Sequence, residues 1–325
     1  MISSSNVYFS SNPLNSVRVD FGAYVKKMQM KDDVHRTNGI PDYAFPLDLK
    51  LRAELRKIPL FYSISKKVAV HTEARYRQIE TASAVLAGPN QFSDIYAMAQ
   101  DCAKLLGIGA PNIYIAHDQS INAYTYASDT VTPTIVVHSG MVERMTPGEL
   151  KCVIGHECGH VHNEHMVYQS ICNVLANLLT GRNIIIQLLS ATNILMFYEW
   201  SRAAEVTCDR AAMICADNIE DAINVNKKLT YGTFLNRDDE VNIDDLRSQL
   251  EDLSTVASVA TELYGSHPSS IRRVLTSDEF SRCELLYQWR PELKKPGMVL
   301  HTKEETDALC AKYVAVFKED RKGME

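Results

Sequence analysis

The sequence predicts an α+β fold that is mostly helical and contains one small β-sheet. From residue 46 onward, most segments carry apolar residues at the spacing of amphipathic helices. Three short runs of β-branched and aromatic residues lie close together between residues 112 and 138. A segment with a complete helix-start signature follows these runs directly, beginning at Thr146. A run of strands that is set apart from runs of helices along the chain is typical of an α+β domain.

The composition is that of an ordinary globular protein. The chain of 325 residues is long enough for one large domain or two small ones, and 46% of its residues are hydrophobic and 23% are charged. The formal net charge is -6 and no basic block compensates for it, which argues against a nucleic-acid partner. The eight cysteines show no zinc-ribbon or paired spacing. We therefore expect buried free thiols in a reducing compartment, the cytoplasm.

The first part of the chain predicts a tail followed by three helices. Residues 1 to 44 begin with a polar, patternless segment that lacks the basic start and apolar core of a secretory signal. We expect a flexible tail or loosely packed arm there, and the alternative is an autoinhibitory arm. Helices are expected over residues 46–60, 66–86 and 92–106.

The β-branched runs predict strands over residues 112–116, 121–126 and 134–138, separated by turn residues. An exposed edge strand of such a sheet can pair with an extended peptide through main-chain hydrogen bonds. The alternative is that these strands only pack beneath the helix that follows.

Residues 155–160, Gly-His-Glu-Cys-Gly-His, are the stretch around which the chain is organised. On a helix, His156 and His160 leave the same face within about one turn and can bind one metal ion. Glu157 lies roughly 100° further round the axis, where it can bond a metal-bound water but is poorly placed as a ligand. The spacing therefore indicates a zinc site with Glu157 as the candidate general base.

The residues that flank this stretch place it on a helix. Thr146, Pro147 and Glu149 have the types and spacing of an N-cap, a first helical residue and a capping box. Gly155 and Gly159 each weaken the helix by up to ~1 kcal/mol relative to Ala. We expect another backbone to pack closely against these two glycines.

A zinc site needs a third protein ligand, and the residues just after the motif do not supply it. Ligands at positions 156, 160 and 164 of a straight helix would span about 12 Å, which excludes Glu164. The metzincin pattern requires Gly and His where the chain has Asn163 and Met166. His162 and His165 point elsewhere round the helix and are expected at the surface.

Residues 201–209 predict a second helix with two carboxylates four residues apart, on one face. Glu205 can complete a site of two histidines and one glutamate that leaves a fourth position open for water. Asp209, one turn later, is placed to accept a hydrogen bond from the far nitrogen of a ligand histidine. Cys158 and Cys208 are expected to face away from the ligands.

The motifs on these two helices together resemble the gluzincin metallopeptidases that include the heat-shock protease HtpX and the CAAX prenyl proteases, and more closely their soluble, single-domain bacterial relatives. Asn122-Ala123-Tyr124 is similar to the Asn-Ala-aromatic edge strand of that family, and Ser266-His267-Pro268 to its Thr/Ser-His-Pro segment. The resemblance covers roughly residues 45 to 290. It implies that His267 donates to the developing oxyanion or transiently occupies the open metal position; otherwise His267 merely ends a helix before a proline.

Two apolar segments separate the metal motifs, over residues 171–179 and 184–198. Each is too short for a membrane span, which needs about 20 mainly apolar residues. They predict a helical hairpin that either packs on the domain or dips onto a membrane surface. Further helices are expected over residues 219–229 and 241–253, and a last one begins at Thr302.

Taken with the resemblance, these features predict a zincin-like metallopeptidase domain over residues 45–325, with a motif-bearing core at about 92–290. The expected activity is that of a metalloendopeptidase with one Zn²⁺ per chain, held by His156, His160 and Glu205, acting on extended or unfolded polypeptides. The alternative is a zinc-stabilised peptide-binding module that does not hydrolyse its ligand. Retention of Glu157 favours the enzyme, because a purely structural zinc site needs no base.

Overall fold

The computed structural model describes residues 35–37, 40–58, 61–128, 131–168, 191–232, 240–252 and 269–315. These residues form a mostly helical fold with a small mixed sheet, as the sequence predicts. The strands are β1 (Arg36–Thr37), β2 (Ile40–Pro41), β3 (Ala84–Leu86), β4 (Asn112–Ala116), β5 (Ala123–Ser128) and β6 (Val131–His138). The helices are α1 (Pro46–Lys57), α2 (Phe61–Ser83), α3 (Ser93–Leu106), α4 (Ser139–Arg144), α5 (Pro147–His162), α6 (Ala191–Cys215), α7 (Ile219–Tyr231), α8 (Ile243–Asp252), α9 (Ser270–Ser281), α10 (Glu284–Trp289) and α11 (Lys303–Val314).

The main sheet has the strand order β3, β4, β6, β5. The central pair β4 and β6 is parallel, and the two outer pairs are antiparallel. Strand β4 was predicted with its exact bounds, whereas β6 starts three residues before the predicted strand and runs through Pro133. The proline is tolerated because it lies beside the irregularity between Tyr126 and Ser128 of the partner strand. Residues 84–86 were predicted to end a helix and instead form β3, because they pair with β4.

The sheet is packed on both faces. One face carries Ile113, Ile135 and Val137 into the core shared with α3 and α5. On the other face, Tyr124 and Tyr126 contact Tyr76 of α2, with ring centroids 5.5 and 5.8 Å apart. Alternation along β5 therefore turns its tyrosines toward α2 and the residues between them toward α5.

Helices α5 and α6 form the centre of the molecule. As predicted, Thr146 caps α5 in a reciprocal capping box with Glu149. A Cβ placed on Gly155 would lie 2.6 Å from Cβ of Cys215, and one on Gly159 would lie 2.7 Å from Cβ of Ala211. The expected close approach of another backbone is confirmed, and that backbone is α6.

The folded structure begins earlier than the predicted domain boundary at residue 45. Residues 1–34 and 38–39 lie outside the described residues, but Tyr43 and Ala44 are buried, and so is Arg36. Strands β1 and β2 form a two-stranded ladder just before them. The end of the predicted tail is therefore packed on the domain.

The two helices predicted after the second motif and the last predicted helix are confirmed. Helices α7 and α8 match the two predicted after the second motif to within two residues at each end. Thr302 caps α11 in a second capping box, and Cys310 and Val314 of that helix are buried.

Most of the predicted apolar hairpin, residues 171–190, lies outside the described residues, and residues 191–198 form the first part of α6. None of the helices described combines the length and the apolar character that a membrane span requires.

Candidate metal centre

The packing of α5 against α6 brings His156, His160 and Glu205 together. Nε2 of His156 lies 3.4 Å from Oε2 of Glu205, and Nε2 of His160 lies 3.4 Å from Oε1. The two imidazole centroids are 5.0 Å apart and their planes are inclined by 76°. The Nε2 atom of each histidine thus faces the carboxylate of Glu205, a residue that is 2% exposed.

This donor set fits a zinc ion. In a tetrahedral site with bonds of about 2.1 Å, two ligand atoms lie roughly 3.4 Å apart, and this separation is the one found between each Nε2 and the Glu205 oxygen facing it. Two imidazole nitrogens and one carboxylate are also the ligand types of catalytic zinc sites. The residues present can therefore hold the metal without a change of ligand type.

Asp209 lies on the far side of His156 from this cluster. Its Oδ1 is 3.0 Å from Nδ1 of His156, so the aspartate orients the ring whose other nitrogen faces Glu205. Burial opposes the protonation of His156, but the hydrogen bonds to Asp209 and Glu205 outweigh burial and raise the pKa of His156 to about 10. Without a metal the buried carboxylates hold a proton on His156, which a cation would replace.

Arg273 of α9 is a further charged residue at this cluster. Its guanidinium donates to both oxygens of Asp209, at 2.9 and 2.5 Å, and lies 3.7 Å from Glu205. Burial would raise the pKa of Asp209, but the charge and hydrogen bonds of Arg273 and the bond to His156 lower it. Asp209 is therefore held as a carboxylate that accepts from His156.

The candidate base Glu157 faces the edge of the sheet. Its Oε2 accepts a hydrogen bond of 2.6 Å from the hydroxyl of Thr125, in the edge strand β5. Asn122 lies just before this strand and accepts from the backbone N–H of His138, which extends the ladder by one bond. Tyr124 points away from the metal cluster and donates to Glu80 of α2. The predicted substrate strand, residues 122–124, thus leads into the part of β5 that contacts Glu157.

The expectation that Cys208 faces away from the ligands is wrong. The sulfur of Cys208, one nitrogen of His156 and one nitrogen of His160 all lie within 4.8 Å of one another. Cys208 also lies 3.5 Å from Nδ1 of His165, the atom that contacts Nδ1 of His160. The sulfur therefore lies close to both histidines, whereas the oxygens of Glu205 face their Nε2 atoms. Glu205 remains the candidate for the third ligand, because its carboxylate faces the Nε2 atoms of both histidines.

His162 and His165 were expected at the surface, and this prediction is wrong, because both are buried. The guanidinium of Arg36 donates to Nε2 of His162, and Nδ1 of His162 lies 2.8 Å from the hydroxyl of Tyr43. Burial, together with the charge of Arg36, holds the pKa of His162 well below its usual range. The end of α5 is covered by Arg36 and Tyr43, which the pattern of α5 alone does not reveal.

His267 lies outside the described residues. Three further residues at the cluster were not predicted from the sequence: Thr125, Arg273 and Asp48. Thr125 shares a strand face with Ala123, so period-two alternation could have identified it. Arg273 stands in a helix that buries polar as well as apolar residues, so its surroundings in the sequence gave no signal. Asp48 is separated from the motif by more than 100 residues, and no local pattern identifies it.

Comparisons with known proteins agree with this geometry. Residues 89–279 match the family model of peptidase family M48. The chain is 30% identical over 250 residues to the plastoglobule-localized metallopeptidase 48 of Arabidopsis thaliana, covering 74% of this chain and 72% of that protein. It is 27% identical over 101 residues to a protease HtpX homolog of Thermoanaerobacter pseudethanolicus. That match covers 31% of this chain and spans about a third, 34%, of the homolog.

Among solved structures, the crystal structure of S. mikatae Ste24p aligns with 71% of this chain and 61% of that chain. The TM-score is 0.37 and the sequence identity is 15%.

Proposed function

The chain belongs to peptidase family M48 and is a protease, and we propose that it is a zinc-dependent metalloendopeptidase that cleaves extended or unfolded polypeptides. The observation that carries this proposal is the convergence of two Nε2 atoms on the buried carboxylate of Glu205. His156, His160 and Glu205 would hold the zinc ion. When bound there, the ion would polarise the scissile carbonyl and lower the pKa of a water toward ~7.

Glu157 would act as the general base. Its carboxylate would accept a proton from the attacking water and pass it to the leaving amine, a role that typically contributes about 10²–10⁴-fold. The hydroxyl of Thr125, at 2.6 Å, would fix the orientation of this carboxylate. His267 is proposed to donate to the developing oxyanion, on the sequence resemblance alone.

The edge strand β5 supports an extended substrate. In the part of the chain that the structure describes, no strand pairs with the outer edge of β5. A peptide could add there through main-chain hydrogen bonds, which make little demand on its sequence. Because Thr125 of the same strand contacts Glu157, a peptide on this edge would run past the base.

We also propose the cellular compartment in which the enzyme acts. The seven cysteines among the described residues are free and buried, which supports a reducing compartment such as the cytoplasm. The alternative setting is the surface of a membrane, which the apolar residues 171–198 would contact. The Arabidopsis relative is named for plastoglobules, and its name motivates testing this segment.

Two substitutions test the assignment of ligand and base. Glu205→Ala removes a ligand oxygen, so this variant should lose zinc and melt at a lower temperature than the zinc-loaded wild type. Glu157→Gln is nearly isosteric and should keep stoichiometric zinc while losing most turnover of an unfolded protein substrate, about 10²–10⁴-fold. Zinc content and turnover are measured on the same samples, with and without chelator.

The outcomes separate the enzyme from a peptide-binding module. If the wild type binds unfolded substrate and zinc but cleaves nothing, the module is correct and the peptidase mechanism is wrong. If Glu157→Gln loses its zinc, Glu157 is a ligand rather than the base.

A further inference from the structure

A chain of hydrogen bonds leads from His160 to a buried aspartate on α1. Nδ1 of His160 lies 3.1 Å from Nδ1 of His165, in the turn after α5. Nε2 of His165 lies 3.1 Å from Oδ2 of Asp48. His165 and Asp48 are both 0% exposed, so water cannot replace either partner.

The other groups on Asp48 fix the direction of these bonds. The indole N–H of Trp200 donates to Oδ1 at 2.9 Å, and the hydroxyl of Thr207 donates to Oδ2 at 2.8 Å. The Thr207 hydroxyl has its own proton free for Asp48, because it accepts from the backbone N–H of Phe45. An ionised carboxylate only accepts hydrogen bonds. Both oxygens of Asp48 therefore accept hydrogen bonds, and Nε2 of His165 must carry a proton.

The tautomers of both histidines follow from this carboxylate. A neutral His165 that is protonated on Nε2 has a lone pair on Nδ1. Nδ1 of His160 must then supply the proton in the bond between the two rings. The lone pair of His160 remains on Nε2, the atom that faces Glu205 at 3.4 Å. The thiol of Cys208, 3.5 Å from Nδ1 of His165, is a weak donor and does not change this order.

The charges agree with these protonation states. Burial would raise the pKa of Asp48, but His165, Arg52 and Thr207 together lower it to about 2. Asp48 is thus a carboxylate, which accepts from the Nε2–H group of His165.

The backbone holds His165 in this position. Its N–H donates to the carbonyl of His160 at 3.0 Å, and the turn between them passes through Glu164 at a φ of 57°. The two histidines that face Glu205 therefore have different partners. His156 contacts a carboxylate directly, at 3.0 Å, whereas a second imidazole separates His160 from its carboxylate.

We propose that His165 and Asp48 are positioning residues for the metal centre, which hold the ring of His160 with the Nε2 lone pair directed at the metal. This inference rests on the proposed zinc site. His165 supplies the acceptor for Nδ1–H of His160, and Asp48 fixes the tautomer of His165. Partners of this kind typically change metal affinity by 10–100-fold when they are removed.

The test measures zinc affinity by chelator competition on the full-length protein, together with unfolding of the metal-free form. His165→Phe keeps a planar ring but removes the acceptor, and it should bind zinc about 10–100-fold more weakly. His165→Asn places an amide oxygen near the position of Nδ1 and should recover most of that loss. Asp48→Asn should also weaken zinc binding, because its amide group cannot accept from all the donors that surround Asp48.

Phe197→Leu is the matched control. Phe197 is fully buried and packs on Trp200 in the same cluster, but no described contact joins it to His165 or Asp48. The control should lower the stability of the metal-free protein and leave zinc affinity unchanged within about threefold. If His165 were merely structural, His165→Phe would behave like this control, and the inference would be wrong.

Two further results complete the test. In the zinc-loaded wild type, histidine ¹H–¹⁵N correlation spectra should show His160 protonated on Nδ1 and His165 on Nε2; the opposite tautomer of either ring overturns the inference. If His165→Phe does not fold, undiminished zinc affinity in Asp48→Asn overturns it instead. A wild-type protein that binds no zinc refutes the proposed function itself, whereas wild-type affinity in every variant refutes only the role of His165 and Asp48.

Discussion

Gly159→Ala tests whether the close packing of α5 and α6 holds the metal centre together. An alanine Cβ at this position would lie 2.7 Å from Cβ of Ala211 and 3.1 Å from Cα of Cys208. Carbon atoms in ordinary contact are about 3.5–4.0 Å apart, so the two helices must separate by roughly 0.5–1 Å at this point. The second contact is with backbone, which cannot move aside as a side chain does.

The magnitude follows from two opposing effects. Overpacking of this kind costs about 1–3 kcal/mol, and the better helix propensity of Ala returns about 1 kcal/mol. We expect the metal-free variant to lose roughly 0–2 kcal/mol of unfolding free energy. Zinc affinity should fall more sharply, because ligand distances tolerate only about ±0.2 Å and Glu205 lies on the displaced helix. We expect a loss of affinity of at least about tenfold.

The assay combines urea unfolding in chelator with zinc competition, on the wild type and three variants. Gly148→Ala is the control on the same helix, since the atoms closest to its Cβ belong to the side-chain carboxylate of Asp221, which can rotate away. The double variant Gly159→Ala/Ala211→Gly removes the nearest clash and should recover part of the zinc affinity. If Gly159→Ala is as stable as wild type and binds zinc equally well, α6 does not pack against Gly159 as described and the reasoning is refuted.

Three further predictions concern neighbouring groups. The pKa of Asp48 is lowered from 3.8 to about 2, so its carboxylate should contribute roughly 2 kcal/mol to the free energy of unfolding. This contribution should be complete above pH ~4 and lost as the pH falls toward ~2. Urea unfolding measured against pH should show this dependence, and Asp48→Asn should flatten it. Thr125→Val removes the donor to Glu157 and should lower kcat by roughly 10–100-fold with zinc content unchanged, while Thr125→Ser keeps activity; equal kcat in all three proteins would show that the bond has no role. Tyr43→Phe leaves Nδ1–H of His162 buried and unpaired, and should lower unfolding free energy by about 1–3 kcal/mol without changing zinc affinity, which chemical unfolding and zinc competition would check.

Local patterns in the sequence were enough to predict most of the elements that carry the site. The capping box at Thr146 depends on residues three positions apart, and it marks the start of α5 correctly. The spacing of His156 and His160, and that of Glu205 and Asp209, places each pair on one helix face. Strand β4 was equally clear, because its three central residues are of β-forming type and turn residues flank the strand. Each of these signals is complete within one or two turns of chain.

Segments whose state depends on a distant partner were predicted poorly. Residues 84–86 have side chains that a helix accepts, and they form a strand only because β4 offers an unpaired edge. His162 and His165 were placed at the surface because they point elsewhere round the helix than His156 and His160. They are buried because Arg36, Tyr43 and α1 cover the end of that helix.

The sequence by itself determined that His156 shares a helix face with His160 and that Glu205 shares one with Asp209, because helix geometry turns spacing along the chain into a shared face. It could not determine what lies behind those ligands. Asp48 reaches His165 from 117 residues away, and Arg273 reaches Asp209 across 64 residues. Such contacts exist only once the helices have packed, since burial turns an ordinary aspartate, histidine or arginine into a required hydrogen-bond partner. The tertiary structure therefore decided which polar residues support the candidate metal centre.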